Sequence, residues 1–288
     1  MPMDTSDWID AYPSEALPQL RQVLDRASDA AGYWHVLFDM GFLPALREHL
    51  PALCPDSHVV ALYEGVYDGE DLLPISPCLM SLPIDAEQRA ALCAGLLRHT
   101  DGRPMLSLLR TAYGVDALAA HLRRQLEARA ADDEAFLVPF ADTRCLPVWA
   151  EVLSPVQRAR FFAGIESWWY FDREASLVPV RFDAQGVAGE VGDVDEVDAQ
   201  ADDPYSIDAR QMAVLRQAAK IDTLIFHIRQ RPDSFGLLTA APSQVHACVS
   251  AVWASEPASP GAAARAALEA LADAGMLVPF DMRGTNAA

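Results

Sequence analysis

Lysine is all but missing from this chain, Lys220 being the only one. With 22 Lys+Arg against 41 Asp+Glu the formal charge is −19, so phosphate backbones and anionic lipid are repelled, and nucleic acid and a membrane surface drop out as partners. Long apolar runs are absent too. No stretch approaches the roughly 20 residues of a bilayer-spanning helix, and Met1-Pro2-Met3-Asp4 has neither the basic start nor the apolar core of a signal peptide. The expectation is a cytoplasmic protein with no membrane insertion. Paired cysteines are the third absence. Cys54, Cys78, Cys93, Cys145 and Cys248 are odd in number and scattered, with no Cys-x-x-Cys among them; a disulfide framework and a zinc site are excluded, and the thiols read as small buried hydrophobes in a reducing compartment. Catalytic signatures are missing as well: no Gly-x-Ser-x-Gly, no Gly-x-Gly-x-x-Gly, no Walker loop and no His-Glu-x-x-His. The seven histidines do not pair with Cys or acids at ligand spacing, so no catalytic, metal or cofactor-binding residue is assigned.

What the chain has is a hydrophobic fraction of 51%, enough for one large or two modest cores. The run Tyr33-Trp34-His35-Val36-Leu37-Phe38-Asp39-Met40-Gly41 reads as a buried strand that needs cover on both faces. Apolar patterning predicts a leading helix over 14–28, a short helix over 43–50 stopped by Pro51, strands over 59–63, 78–82 and 105–109, and a helix over 86–99 opened by Asp85. An amphipathic helix over 116–129 carries Leu118, Leu122 and Leu126 in one stripe. A strand over 135–140 should lie at an edge or end at Pro139. Helices over 144–152 and 155–164 precede a hairpin built from 165–171 and 177–180. Strands alternating with helices imply an α/β lobe, a mixed sheet flanked by helices, over residues 1–183. From Glu190 to Asp203 seven residues are acidic, so 184–205 reads as a solvated linker. An EF-hand begun at Asp193 fails, with Asp198 where Gly belongs and Pro204 where the bidentate Glu belongs. Residues 206–288 read as a small helical lobe, with helices over 206–231, 243–253 and 262–274 and Gly275 as a C-cap.

Three groups attract attention. Asp39, at a strand's C-terminal end, is the best single active-site candidate by position, since α/β sites gather there; it has no partner in sequence. The consecutive aromatics Trp168, Trp169, Tyr170 and Phe171 must alternate between two faces, leaving one pair for the core and the other for a protein interface, whichever pair is which. Arg123 and Arg124 belong to a charged helix face that reads as solvated or as a contact for an acidic partner. His35 reads as a core histidine with a satisfied ring, and His99 as part of a helix end.

The order of short motifs resembles the domain-of-unknown-function 4123 (DUF4123) family, the adaptor chaperones of bacterial type VI secretion. Leu37-Phe38-Asp39-Met40-Gly41 is similar to its opening strand, Leu62-Tyr63-Glu64-Gly65 to the second and Ser76-Pro77-Cys78-Leu79-Met80-Ser81-Leu82 to the third. Leu108-Leu109-Arg110-Thr111 precedes the amphipathic helix, Phe140-Ala141-Asp142-Thr143-Arg144-Cys145-Leu146 stands for a motif usually reading Tyr-Asp-Pro-Arg, and Phe161-Phe162-Ala163-Gly164-Ile165 leads to Trp168-Trp169. Ala141 replaces the Tyr, Thr143 the Pro, and Ala163-Gly164 a Gly-Pro. The resemblance spans roughly residues 33 to 171. It implies an α/β lobe followed by a helical lobe, no reaction of its own, and two partners: a secreted effector protein and the secretion spike onto which it is loaded. An α/β enzyme with a site near Asp39 and Asp142, or a regulatory scaffold, are the alternatives.

Overall fold

The most apolar strand of the sequence lies inside the principal sheet. In the computed structural model, which describes residues 7–26, 32–55, 58–182, 205–255 and 259–280, β1 (Tyr33–Phe38) pairs antiparallel with β3 (Cys78–Ser81) on one side and β4 (Leu106–Thr111) on the other. β2 (Val59–Ala61), β7 (Ile165–Phe171) and β8 (Leu177–Pro179) complete a sheet of order β2-β3-β1-β4-β7-β8. All its pairings are antiparallel. The predicted hairpin is β7–β8. Parallel pairing occurs in a second, three-stranded sheet of β5 (Glu127–Ala130), β6 (Ala135–Leu137) and β9 (Tyr205–Ile207), where β5 runs parallel to β9 and antiparallel to β6.

Both faces of the principal sheet are covered, as its apolar strands require. Val36 and Phe38 enter one core with Leu20 and Leu24 of α1 (Ala16–Arg26), Leu46 and Leu50 of α2 (Leu46–Leu53) and Leu92 and Leu96 of α3 (Ala86–Thr100). Leu37 enters the other, with Leu118 and Leu122 of α4 (Val115–Arg123), Leu146 and Trp149 of α5 (Leu146–Val152) and Phe161 of α6 (Pro155–Phe161). His35 is fully buried, its ring nitrogens 3.0 Å from the Tyr113 carbonyl and 3.1 Å from Ser81 Oγ. Burial holds its pKa below the ordinary histidine value despite the Tyr113 bond. The side chain of Asp85 accepts from the Glu87 and Gln88 amides and starts α3.

Three expectations are corrected. Pro51 does not stop α2 but lies within it. The helix over 116–129 ends at Arg123, and its last residues form β5. Leu126 keeps its apolar environment in the intervening turn, while Ala128 and Ala130 alternate inward as a strand. Pairing with Tyr205–Ile207 and the acceptance of the Tyr205 hydroxyl by buried Gln125 override the helical stripe. The third correction is the short strand β9 itself, where only a helix start was expected. The acidic run at 184–205 lies outside the described residues except for Tyr205.

Past β9 the chain is mainly helical. Asp208 and Gln211 form a reciprocal capping box at the start of α7 (Ala209–Gln230). A one-turn α8 (Pro232–Phe235), α9 (Pro242–Ala254) and α10 (Pro260–Asp273) follow, with Leu237–Leu238 and Leu277–Val278 pairing as a short ribbon, β10–β11. Ile221, Ile225 and Ile228 pack with Val245, Val249, Ala263, Ala267 and Leu271 in a third core. The first half of α7 faces the other way: Met212 and Leu215 pack on the sheet lobe, and Gln211 Nε2 donates to the Val152 carbonyl at 2.7 Å. One helix thus serves both lobes.

Candidate functional site

Three charged residues of the sequence motifs, Asp39, Asp142 and Arg144, converge where the two lobes meet. Asp39 follows β1; its amide donates to the Met105 carbonyl at 3.0 Å, and its Oδ1 accepts from the Gly41 amide at 3.0 Å. A Cβ at Gly41 would stand 3.0 Å from that same oxygen, so a larger residue there would make the carboxylate shift. Asp142 begins the turn into α5, its carbonyl accepting from the amides of Cys145 and Leu146. Its carboxylate is fully engaged: Oδ1 accepts from the Arg144 amide at 2.9 Å and Nε at 3.1 Å, and Oδ2 from Nη2 at 2.7 Å. Both side chains of this pair are at least nine-tenths buried, where such a forked contact is strong and removal of either partner is costly.

The other face of Arg144 is aromatic. Its guanidinium lies 4.7 Å from the Trp8 ring centroid and 5.2 Å from that of Phe42. Trp8 also carries Arg229 of α7 at 5.0 Å and stacks on Phe226 at 5.9 Å. Two residues on, the Asp10 carboxylate accepts from the Ser243 amide at 2.9 Å and its hydroxyl at 2.6 Å in the first turn of α9. Arg173, beyond β7, pairs with Asp222 of α7 at 2.9 Å. The segment 7–12 therefore joins the sheet lobe to the helical one through a cation–π stack and a capped helix start.

Titration behaviour follows from this crowding. Burial, and then the nearby Asp142 carboxylate, push Asp39 up to about 7, against the opposing Gly41 amide and Arg144. His246 of α9 is held down to about 4 by burial and by Arg173 and Arg144, with Asp222 opposing. The Cys145 thiol is driven upward by burial and Asp142, so it stays protonated and is no nucleophile at neutral pH. Beside the junction is a cleft of about 390 Å³, lined among others by Thr143, Arg144, Tyr170, Arg173, Ile221 and His246. Among the described residues no group of three or more His, Cys, Asp or Glu could hold a metal ion, and no helix is long and apolar enough to cross a membrane.

Of the residues singled out from sequence, Asp39 and Asp142 are brought together. The aromatic run packs onto both cores: Trp168 and Tyr170 belong to one, Phe171 to the other, and Trp169 packs partly buried against that second core. The alternation holds, and both faces are covered, Trp169 being the one ring of the four that keeps partial exposure. Arg123 and Arg124 part company: Arg123 donates to the carbonyls of Ala61 and Leu62 at 2.9 and 3.3 Å, while Arg124 is exposed. Sequence reasoning missed Trp8, Arg173, Asp222, Arg229 and His246. The available signal was in α7, where Asp222 and Arg229 each adjoin a stripe isoleucine, an unusual place for charge without a partner.

Neither a curated protein nor a solved structure matches the chain. Residues 34–160 match a protein family described as a domain of unknown function. That stretch runs from β1, with Asp39 just after it, through the Asp142–Arg144 pair into α6, and over it the chain is similar to the DUF4123 family.

Proposed function

We propose that the protein is a non-enzymatic adaptor that binds a type VI secretion effector in the cytoplasm and helps load it onto the secretion spike. The observation that carries this reading is the use made of the motif charges. Asp142 and Arg144 engage each other through a forked pair and tie the lobes together through Trp8, which is the work of a scaffold holding a surface in shape. The order of motifs matching an adaptor family supports the same reading. A charge of −19 steers a basic segment of cargo or spike and raises encounter rate more than final affinity.

One observation favours an enzyme instead: Asp39 titrates near neutrality, as a general acid or base would. A single experiment separates the two. The full chain is co-expressed with candidate effector and spike proteins and passed over a sizing column. Co-elution with either is expected, unchanged in kind by Asp39→Ala. The adaptor reading fails if neither co-elutes while a small-molecule turnover screen responds and Asp39→Ala silences it.

A further inference from the structure

Away from the lobe junction, strand β6 presents a free edge. Among the described residues it pairs only with β5. The Val138 amide donates to the Leu126 carbonyl at 2.8 Å and the Ala130 amide to the Glu134 carbonyl at 2.9 Å. These pairs, with Ala128–Phe136 between them, alternate with Glu127–Leu137 and Arg129–Ala135. In an antiparallel ladder the N–H and C=O groups of Ala135 and Leu137 then point away from β5, a template for one more strand. Alongside is a groove of about 160 Å³ lined by Tyr63, Tyr67, Leu72, Ala135, Phe136 and Leu137, and by Glu127, whose carboxylate accepts from the Tyr67 hydroxyl. Leu137 is 51% exposed and Val66, next to Tyr67, 44%, more apolar surface than a plain solvated edge carries.

The surroundings are acidic. Asp132 and Asp133 form the turn into β6, Glu134 directly precedes it, and Asp68 and Asp71 follow Tyr67 and precede Leu72 in the chain; all are exposed. Arg129, the cation of the same hairpin, is paired to Asp133 at 3.1 Å. A second copy of this chain adding β6 to β6 would set these carboxylates against themselves. The geometry points to a docking site for an extended segment of a partner protein, alternating apolar and basic residues, which adds as a strand to β6 with its apolar side chains in the groove. This deepens the adaptor reading, on which it rests for the identity of that partner as cargo.

The test uses the full chain and a fluorescent peptide of about ten residues alternating valine and arginine. Saturable binding that weakens with added salt is expected, with slowed amide exchange at Ala135 and Leu137, and no binding of the matching valine–glutamate peptide. Leu137→Pro removes an N–H that β5 does not use; with an unchanged melting temperature it should weaken binding about tenfold or more. Ala135→Pro is the second such variant, and exchange on the unaltered chain decides if both unfold. Equal binding of the acidic peptide, unchanged affinity in both folded proline variants, protection elsewhere, or self-association through β6 overturns the site. A cargo that co-elutes equally with Leu137→Pro also overturns it while leaving the adaptor reading intact. Failure of the unaltered chain to retain any cargo defeats the adaptor reading, and the peptide titration still decides the edge.

Discussion

The interior of the sheet lobe and the junction between lobes are held by different physics. Around Trp168 the packing is aromatic and dry: its ring stacks on Phe161 at 6.0 Å and meets Phe140 edge-on at 6.3 Å, and its Nε1 donates to buried Ser107 at 3.0 Å. At the junction the contacts are ion pairs and cation–π stacks around Arg144, Arg173 and Trp8. The first kind of contact is indifferent to pH and salt and defines the fold; the second sets the lobe arrangement and responds to protons. A scaffold built this way can keep its sheet intact while its lobe contacts are tuned.

The contrast should survive three tests. Trp168→Ala removes a fully buried indole and leaves a cavity, and is expected to cost about 3–5 kcal/mol in chemical denaturation, weakening the sheet lobe as a whole. A loss under about 1 kcal/mol would mean that the aromatic core is not the main source of stability. Arg144→Ala leaves the Asp142 carboxylate buried without its partner, at a cost of about 3 kcal/mol. It should also accelerate amide exchange in the first turns of α7 and α9 more than in β1 and β4, an ordering that Trp168→Ala reverses.

The pH profile is the most diagnostic, because the two junction groups have opposite signs. Asp39 has a folded pKa of about 7 against an unfolded value of about 3.9. Between these pH values the native state holds the extra proton, so its contribution to stability is present at low pH and lost as pH rises to about 7. His246 has a folded pKa of about 4 against about 6.5 unfolded, so its contribution is present above that window and lost as pH falls through it. Melting temperatures between pH 4 and 8 should therefore rise more steeply with pH in Asp39→Asn than in the unaltered chain, and less steeply in His246→Gln. Parallel profiles for all three proteins would place both groups in ordinary solvent.

Much of the fold was legible because periodicity reports burial. The run from Tyr33 to Phe38 is apolar at nearly every position since both faces of β1 are covered, and Asp85 marks the start of α3 through a local hydrogen bond. What was hidden depends on long-range pairing. β5 reads as helix because its partner Tyr205–Ile207 arrives some 75 residues later, Ala128 pairing with Tyr205. Arg123 and Arg124 look alike in sequence, yet neighbours on a helix point roughly 100° apart, enough to send one onto the carbonyls of Ala61 and Leu62 and the other to solvent. The junction was half visible: Asp39 and the Asp142–Arg144 motif stood out, but Trp8 lies in a segment with no pattern, and no local rule announces that its ring receives two guanidinium groups.

The hydrogen bonds from Ser243 to Asp10 span 233 positions of the chain. During synthesis at about 5–20 residues per second, the segment around Trp8 emerges well before the helices that complete its surroundings. The sheet lobe has all its strands and helices by Ile207, once β9 has paired with β5, so it can condense while Trp8, Asp10 and the guanidinium of Arg144 still await α7 and α9. Assembly is then clocked by the end of translation: until α9 is made, the junction is an open, sticky face, and a ribosome stalled between Ile207 and Pro242 holds a folded lobe with that face uncovered.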